Sequence, residues 1–154
     1  MSYKKIIVPF DGSKFAKNAL EEAIRISKMT KGTIYLCTVI SISSIVPPGS
    51  LLGLMKEAST GELQRKMMRS AKISAKKMGD AQVDHCKSKG VKAQFTMIID
   101  GYVSEEILRF SKRKRADLIV IGSQGLQGME KIKTLGSVSR KVSELAQCPV
   151  LIVR

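Results

Sequence analysis

Tryptophan is absent, histidine occurs once, and aromatic residues make up 5% of the 154-residue chain. Acidic residues are scarce as well: 13 Asp and Glu stand against 27 Lys and Arg, a formal net charge of +14. No apolar run reaches the roughly 18 residues of a membrane-spanning helix. The N-terminal stretch, Met1-Ser2-Tyr3-Lys4-Lys5-Ile6-Ile7-Val8, enters strand-like sequence at once. It lacks the apolar core and small-residue cleavage site of a signal peptide, so the expected compartment is the cytoplasm. Cys37, Cys86 and Cys148 are odd in number and far apart, with no CxxC pair and no His/Cys cluster for a metal. The single histidine, His85, has no nucleophile or carboxylate beside it at a local spacing that suits catalysis, and reads as a surface residue.

What remains is ordinary for a soluble globular domain: 44% hydrophobic and 26% charged residues, in a length that suits one domain spanning 1–154. The excess positive charge is suited to polyphosphates, nucleic acids or anionic surfaces. Its densest run is Lys112-Arg113-Lys114-Arg115, supplemented by Arg65-Lys66 and Lys76-Lys77. No aromatic stands inside a basic run, which favours a solvated basic surface over a dedicated nucleic-acid module.

The pattern along the chain alternates strands with helices. Ile6-Ile7-Val8 reads as a buried parallel strand, ended by Pro9, with Asp11-Gly12-Ser13 as turn and cap. Phe15, Ala16, Ala19, Leu20, Ala23, Ile24 and Ile26 share one helical face, and residues 33–40 form the next strand. Residues 41–53, with Pro47-Pro48-Gly49, read as a mobile loop. A long helix over 60–89 is expected to bury Leu63, Met67, Ala71, Ser74, Met78 and Ala81. A third strand covers 91–99, a third helix 102–114, a fourth strand 117–121, a fourth helix 137–147 and a last strand 148–153. This order calls for an α/β fold: a Rossmann-like, five-stranded parallel sheet sandwiched by four helices.

Between the fourth strand and fourth helix lies Gly122-Ser123-Gln124-Gly125, then Gly136-Ser137 after ten intervening residues. Glycine N–H groups approach an anion closely, glycines adopt positive φ, and a following helix N-terminus favours negative charge. The loop therefore suits a nucleotide phosphate. The alternative is a surface loop whose glycines merely turn the chain. Neither a P-loop nor a Gly-x-Gly-x-x-Gly fingerprint is present. In such sheets ligands bind beyond the C-terminal strand ends, where 9–13, 38–40 and the glycine loop would meet.

The blocks Ile-Val-Pro-Phe-Asp-Gly-Ser, Ala-Asp-Leu-Ile-Val-Ile-Gly-Ser-Gln-Gly-Leu-Gln-Gly, Leu-Gly-Ser-Val-Ser and Cys-Pro-Val-Leu-Ile-Val-Arg, in this order, resemble the universal stress protein family across essentially the whole chain. The resemblance implies an ATP-binding branch and a branch that does not bind. It assigns the nucleoside end of a site to Pro9, Asp11, Val39 and Ile121, and the phosphates to Gly122, Gly125, Gly136, Ser137 and Val138, with Ser137 also capping its helix. Asp11 alone fits an Asx-turn or helix cap equally well. The family spacing has nine residues between the second and third glycines where this chain has ten. The extra residue either bulges outward or rotates the helix entry.

The expected function is that of an ATP-binding regulatory protein of stress adaptation, with Mg or Mn carried on the phosphates. The resemblance further implies a homodimer paired through the last strand, from Pro149 to Val153. Two alternatives stand beside it. One is very slow ATP hydrolysis, with Lys131 and Lys133 near the phosphates; the other is binding of nucleic acid or another acidic partner by the basic surface.

Overall fold

The computed structural model describes residues 2–41, 57–126 and 134–154. Its strands are β1 (Lys5–Pro9), β2 (Thr33–Ile40), β3 (Lys92–Ile99), β4 (Leu118–Gly122) and β5 (Val150–Val153). The helices are α1 (Lys14–Thr30), α2 (Glu57–Ser88), α3 (Val103–Lys114) and α4 (Ser137–Leu145). All strand pairs are parallel, in the order β3-β2-β1-β4-β5. The five-stranded parallel sheet with four helices is the architecture expected from the alternation of elements.

Strand periodicity divides the core into two layers. Ile6 and Val8 of β1, with Leu118 and Val120 of β4, face α1 and α2. Ile7, Ile119 and Ile121 point the other way, onto Ile107 and Phe110 of α3 and Val142 of α4. With both faces covered, the interior of β1 (Ile6 to Val8) and β4 (Leu118 to Ile121) is apolar at successive positions, which is why they read as continuous runs rather than alternations.

Local signals set most boundaries. The Ser13 hydroxyl accepts from the Ala16 N–H at 3.1 Å and starts α1. At the other end Lys31 adopts the left-handed conformation, φ 53°, and closes the helix. Arg115 does the same after α3, also at φ 53°.

Four boundary or face expectations are corrected. The stripe on α2 is rotated: Ser74 and Ala81 are exposed, whereas Ala75, Gly79 and Cys86 are buried. The reason is Gly79, which lies so close to the Phe95 ring that a Cβ there would stand 2.4 Å from it. The helix sits down on β3 at the residue with no side chain. β4 extends to Gly122, which pairs with Val153, rather than stopping at Ile121. α4 ends at Leu145, and β5 begins at Val150 because Pro149, lacking an N–H, only offers its carbonyl to Ile119 at 3.0 Å. The expected loop at 41–53 falls, apart from Ser41, outside the described residues.

Candidate functional site

Strand order reverses between β1 and β4: β2 and β3 follow on one side of β1, β4 and β5 on the other. Beyond the C-terminal ends of those two strands opens a cleft of about 1110 Å³. That volume lies at the top of the usual ligand-pocket range, about 300–1,000 Å³. All nine residues assigned from the sequence line it: Pro9, Asp11, Val39, Ile121, Gly122, Gly125, Gly136, Ser137 and Val138. β2 provides one wall, because Thr38, Val39 and Ile40 run past Cys37, the last residue paired with β1. The Thr38 hydroxyl donates to the Phe10 carbonyl at 2.6 Å and holds the chain leaving β1 against that wall.

The glycine-loop ends are pinned together. The Gly136 N–H donates to the Ser123 carbonyl at 2.8 Å, and the Ser139 hydroxyl reaches the same carbonyl at 2.8 Å. The Gln124 amide donates to the Thr134 carbonyl at 3.0 Å. These bonds fix the entry to α4 beside the exit from β4 irrespective of the segment between. That segment, residues 127–133 including Lys131 and Lys133, lies outside the described residues.

The three described loop glycines have different physical reasons, and none of them uses the positive φ open to glycine. A Cβ on Gly122 would lie 2.7 Å from the Phe15 carbonyl carbon, so this glycine admits the first turn of α1. On Gly125 a Cβ would meet only the Asp11 carboxylate, at 2.9 Å. On Gly136 the nearest atoms are at 3.4 Å, an ordinary contact, and the backbone is extended at φ −62°. Among the described residues no packing demands glycine at 136.

Gly136, not Ser137, is the N-cap of α4, and it supplies no side-chain cap. Ser137 is the exposed first residue of the helix. Among the described residues the N–H groups of Ser137, Val138 and Ser139 have no acceptor, and they point out of the helix end toward the cleft. Asp11 adopts the Asx-turn: its Oδ1 accepts from the Ser13 N–H at 2.9 Å. Its Oδ2 accepts from the Leu126 N–H at 3.2 Å and so ties the glycine loop to the end of β1.

Charge is sparse here. Among the described residues, the charged ones lining the cleft are Asp11 and Lys141, and Lys141 pairs with Glu105 at 3.0 Å. Cys37 also lines it, but burial pushes its thiol up to about 12, which leaves it protonated and inert. At the rim Tyr102 and Leu126 are 74% and 70% exposed. Thr38 lay in the 38–40 stretch and Gln124 in the glycine loop, but neither they nor Ser139 had been given a role. Ser139 lay within the quoted Leu-Gly-Ser-Val-Ser block, but its role depends on a hydrogen bond across the loop that spacing does not reveal.

Comparison with known proteins gives a consistent result. Residues 2–154 match the profile of the Universal stress protein family. The chain is 37% identical to universal stress protein MJ0531 of Methanocaldococcus jannaschii, covering 99% of this chain and 82% of that one. It is 34% identical to universal stress protein YxiE of Bacillus subtilis over 99% of both. Among solved structures, hypothetical protein MJ0577 superposes with a TM-score of 0.81 at 25% identity, covering 99% of this chain and 96% of that one. A universal stress protein in complex with cAMP gives a TM-score of 0.67 at 21% identity, over 100% of this chain and 98% of that one. One from Archaeoglobus fulgidus in complex with dAMP gives 0.67 at 22%, over 100% of both. With its fold, its glycine loop and a family match over almost every residue, the chain belongs to the universal stress protein family.

Proposed function

We propose that the cleft binds ATP and that the protein is a nucleotide-responsive regulator of stress adaptation. One observation carries this reading: the N-terminus of α4 is left without a side-chain cap, behind a glycine that no packing among the described residues requires. A helix start with three open N–H donors facing a glycine-lined cleft is a phosphate cradle in physical terms. The cAMP and dAMP complexes of two proteins with this fold support an adenine nucleotide as the ligand.

In this reading Pro9, Asp11, Val39 and Ile121 border the nucleoside, and Gly122, Gly125, Gly136, Ser137 and Val138 border the phosphates. The bonds between 123–124 and 134–139 keep the helix entry in place despite the extra residue. Among the described residues no group of three His, Cys, Asp or Glu forms a metal site, so Mg or Mn would travel on the phosphates.

The dimer belongs to the same proposal. β5 is an edge strand whose four residues, Val150 to Val153, are apolar and only half buried. Pairing with the same strand of a second copy would cover that edge.

The test is calorimetry of ATP and Mg with nucleotide-free protein, repeated with adenosine and with Gly136→Ala. The cradle predicts binding of ATP at least about tenfold tighter than adenosine, and loss of that advantage in the variant. Equal affinity for ATP and adenosine removes the phosphate role of the loop.

A further inference from the structure

The parallel sheet gathers a second feature at its opposite end. All strand N-termini and the C-termini of the helices between them lie there, and much of the positive charge comes with them. Lys5 and Lys92 open β1 and β3, Lys31 and Lys87 close α1 and α2, and the run 112–115 closes α3. Contacts join these ends directly: the Lys4 ammonium donates to the Thr30 carbonyl at 2.6 Å, and Lys114 lies over the Tyr35 ring at 4.9 Å. Among the described residues none of these cations is in an ion pair. Asp117 is turned inward onto the Lys4 and Lys5 N–H groups, at 2.9 and 2.8 Å. Asp84 and Glu144 are the exposed acids on the last turns of α2 and α4.

The backbone at this end carries a second signal. Lys31 and Arg115 are two of the three non-glycine residues held in the left-handed region among the described residues, both at φ 53°. Glycine is the unstrained choice at a helix end of this geometry. Here a long cation replaces it twice, exposed and without a side-chain hydrogen bond among the described residues. Between the starts of β2 and β3 lies a crevice of about 440 Å³, lined by Thr33, Tyr35, Gln94, Lys87 and Lys92.

We propose that this cationic end of the sheet binds single-stranded nucleic acid, with the phosphate backbone on the lysines and arginines and one base in the crevice at Tyr35. An aromatic edge, a hydroxyl and an amide between cations suit a splayed base better than an acidic peptide, which carries no ring to lodge. The helices end on this face rather than lying along it, so no amphipathic helix is presented to a membrane surface.

The experiment is fluorescence anisotropy of the full chain with a labelled single-stranded oligonucleotide across a salt series. Polyglutamate and vesicles containing anionic phospholipid serve as competing polyanions. Three proteins are compared: wild type, the double variant Lys31→Gly with Arg115→Gly, and a control, Lys72→Gln with Lys77→Gln, which removes equal charge from the exposed side of α2. The face predicts a log–log salt slope that falls by about 1.4 in the glycine variant, about 0.7 for each lost phosphate contact. It also predicts about tenfold weaker binding at low salt, with the control changed by less than half as much. The glycine variant should melt at the same temperature as wild type or up to about 3 °C higher, because strain is relieved. Equal losses in variant and control would reduce the effect to net charge and overturn the site. Preference for polyglutamate or vesicles over the oligonucleotide would overturn the ligand. A melting temperature lowered by several degrees in the glycine variant would show that the two cations serve the helix ends instead.

Discussion

Replacing Gly122 with alanine is the obvious way to disable the glycine loop, and the structure predicts that it will mislead. The new Cβ would stand 2.7 Å from the Phe15 carbonyl carbon and 2.9 Å from both its oxygen and its Cβ. Ordinary contact requires about 3.4–4 Å, so the first turn of α1 must move about 0.7 Å or more away from β4. That turn holds the Ser13 cap and Ala16, which is only 4% exposed, so it has little room to give. Overpacking of this kind costs about 1–3 kcal/mol. Alanine returns about 0.4–1 kcal/mol through the unfolded chain, as the backbone here is not left-handed. The net loss, about 1–2 kcal/mol, corresponds to a melting temperature lower by about 2–8 °C in a domain of this size. The assay is a circular-dichroism melt of nucleotide-free protein beside Gly136→Ala. In Gly136→Ala only the weaker N-cap preference of alanine acts, about 0.5–1 kcal/mol. If Gly122→Ala melts within about 1 °C of wild type yet loses ATP, the glycine serves the ligand and the packing argument is wrong.

Three further outcomes follow from the same geometry. Ser139→Ala removes the buried hydroxyl that bonds the Ser123 and Gly136 carbonyls, at 2.8 and 3.0 Å. It should cost about 1–3 kcal/mol by urea unfolding and weaken ATP binding as well; an unchanged unfolding midpoint would show that the loop ends are not held by this bond. Burial raises the thiol of Cys37 from 9.0 to about 12. Its contribution to stability is therefore full below pH 9.0 and is lost as pH rises toward 12. Cys37→Ala should flatten the decline of melting temperature across that window, and an identical pH profile in the variant would contradict the assignment. Sedimentation at high protein concentration should give a dimer if β5 pairs across an interface, and a monomer there would leave the edge strand unexplained.

The fold was legible because the signals that specify it are local. The apolar runs of β1 and β4, the Ser13 cap and the one-sided face of α1 each predict their element without reference to the rest. The residues that the resemblance assigns do line one cleft, but the reason for each glycine depends on what lies across from it. Gly122 answers to Phe15 and Gly79 to Phe95, contacts between residues distant in sequence that no spacing rule encodes. Ser137 looked like a cap because serine is a cap residue, whereas the chain spends Gly136 on that position and leaves the helix end open. The cationic end of the sheet was illegible for the converse reason. Its charges are scattered along the chain, and only parallel strand order brings them together.

The two ends of the sheet therefore differ in the physics with which they would hold an anion, and ionic strength separates them. In the cleft, among the described residues, Asp11 is occupied by two backbone N–H groups and Lys141 by Glu105, which leaves the neutral donors at the start of α4 to hold phosphate. Short-range dipoles in a recess are screened weakly by salt. At the opposite end most of the cations are exposed and none is in an ion pair among the described residues, and attraction there depends on counterion release. Raising salt from about 50 to about 200 mM should weaken oligonucleotide binding by about 10²-fold or more if several phosphates are engaged. The affinity for ATP over the same range should change by only a few fold. The measurement is a pair of titrations on one preparation, ATP by calorimetry and oligonucleotide by anisotropy. If ATP is lost as steeply as the oligonucleotide, the nucleotide is held by the cationic end, and the glycine cleft is not its site.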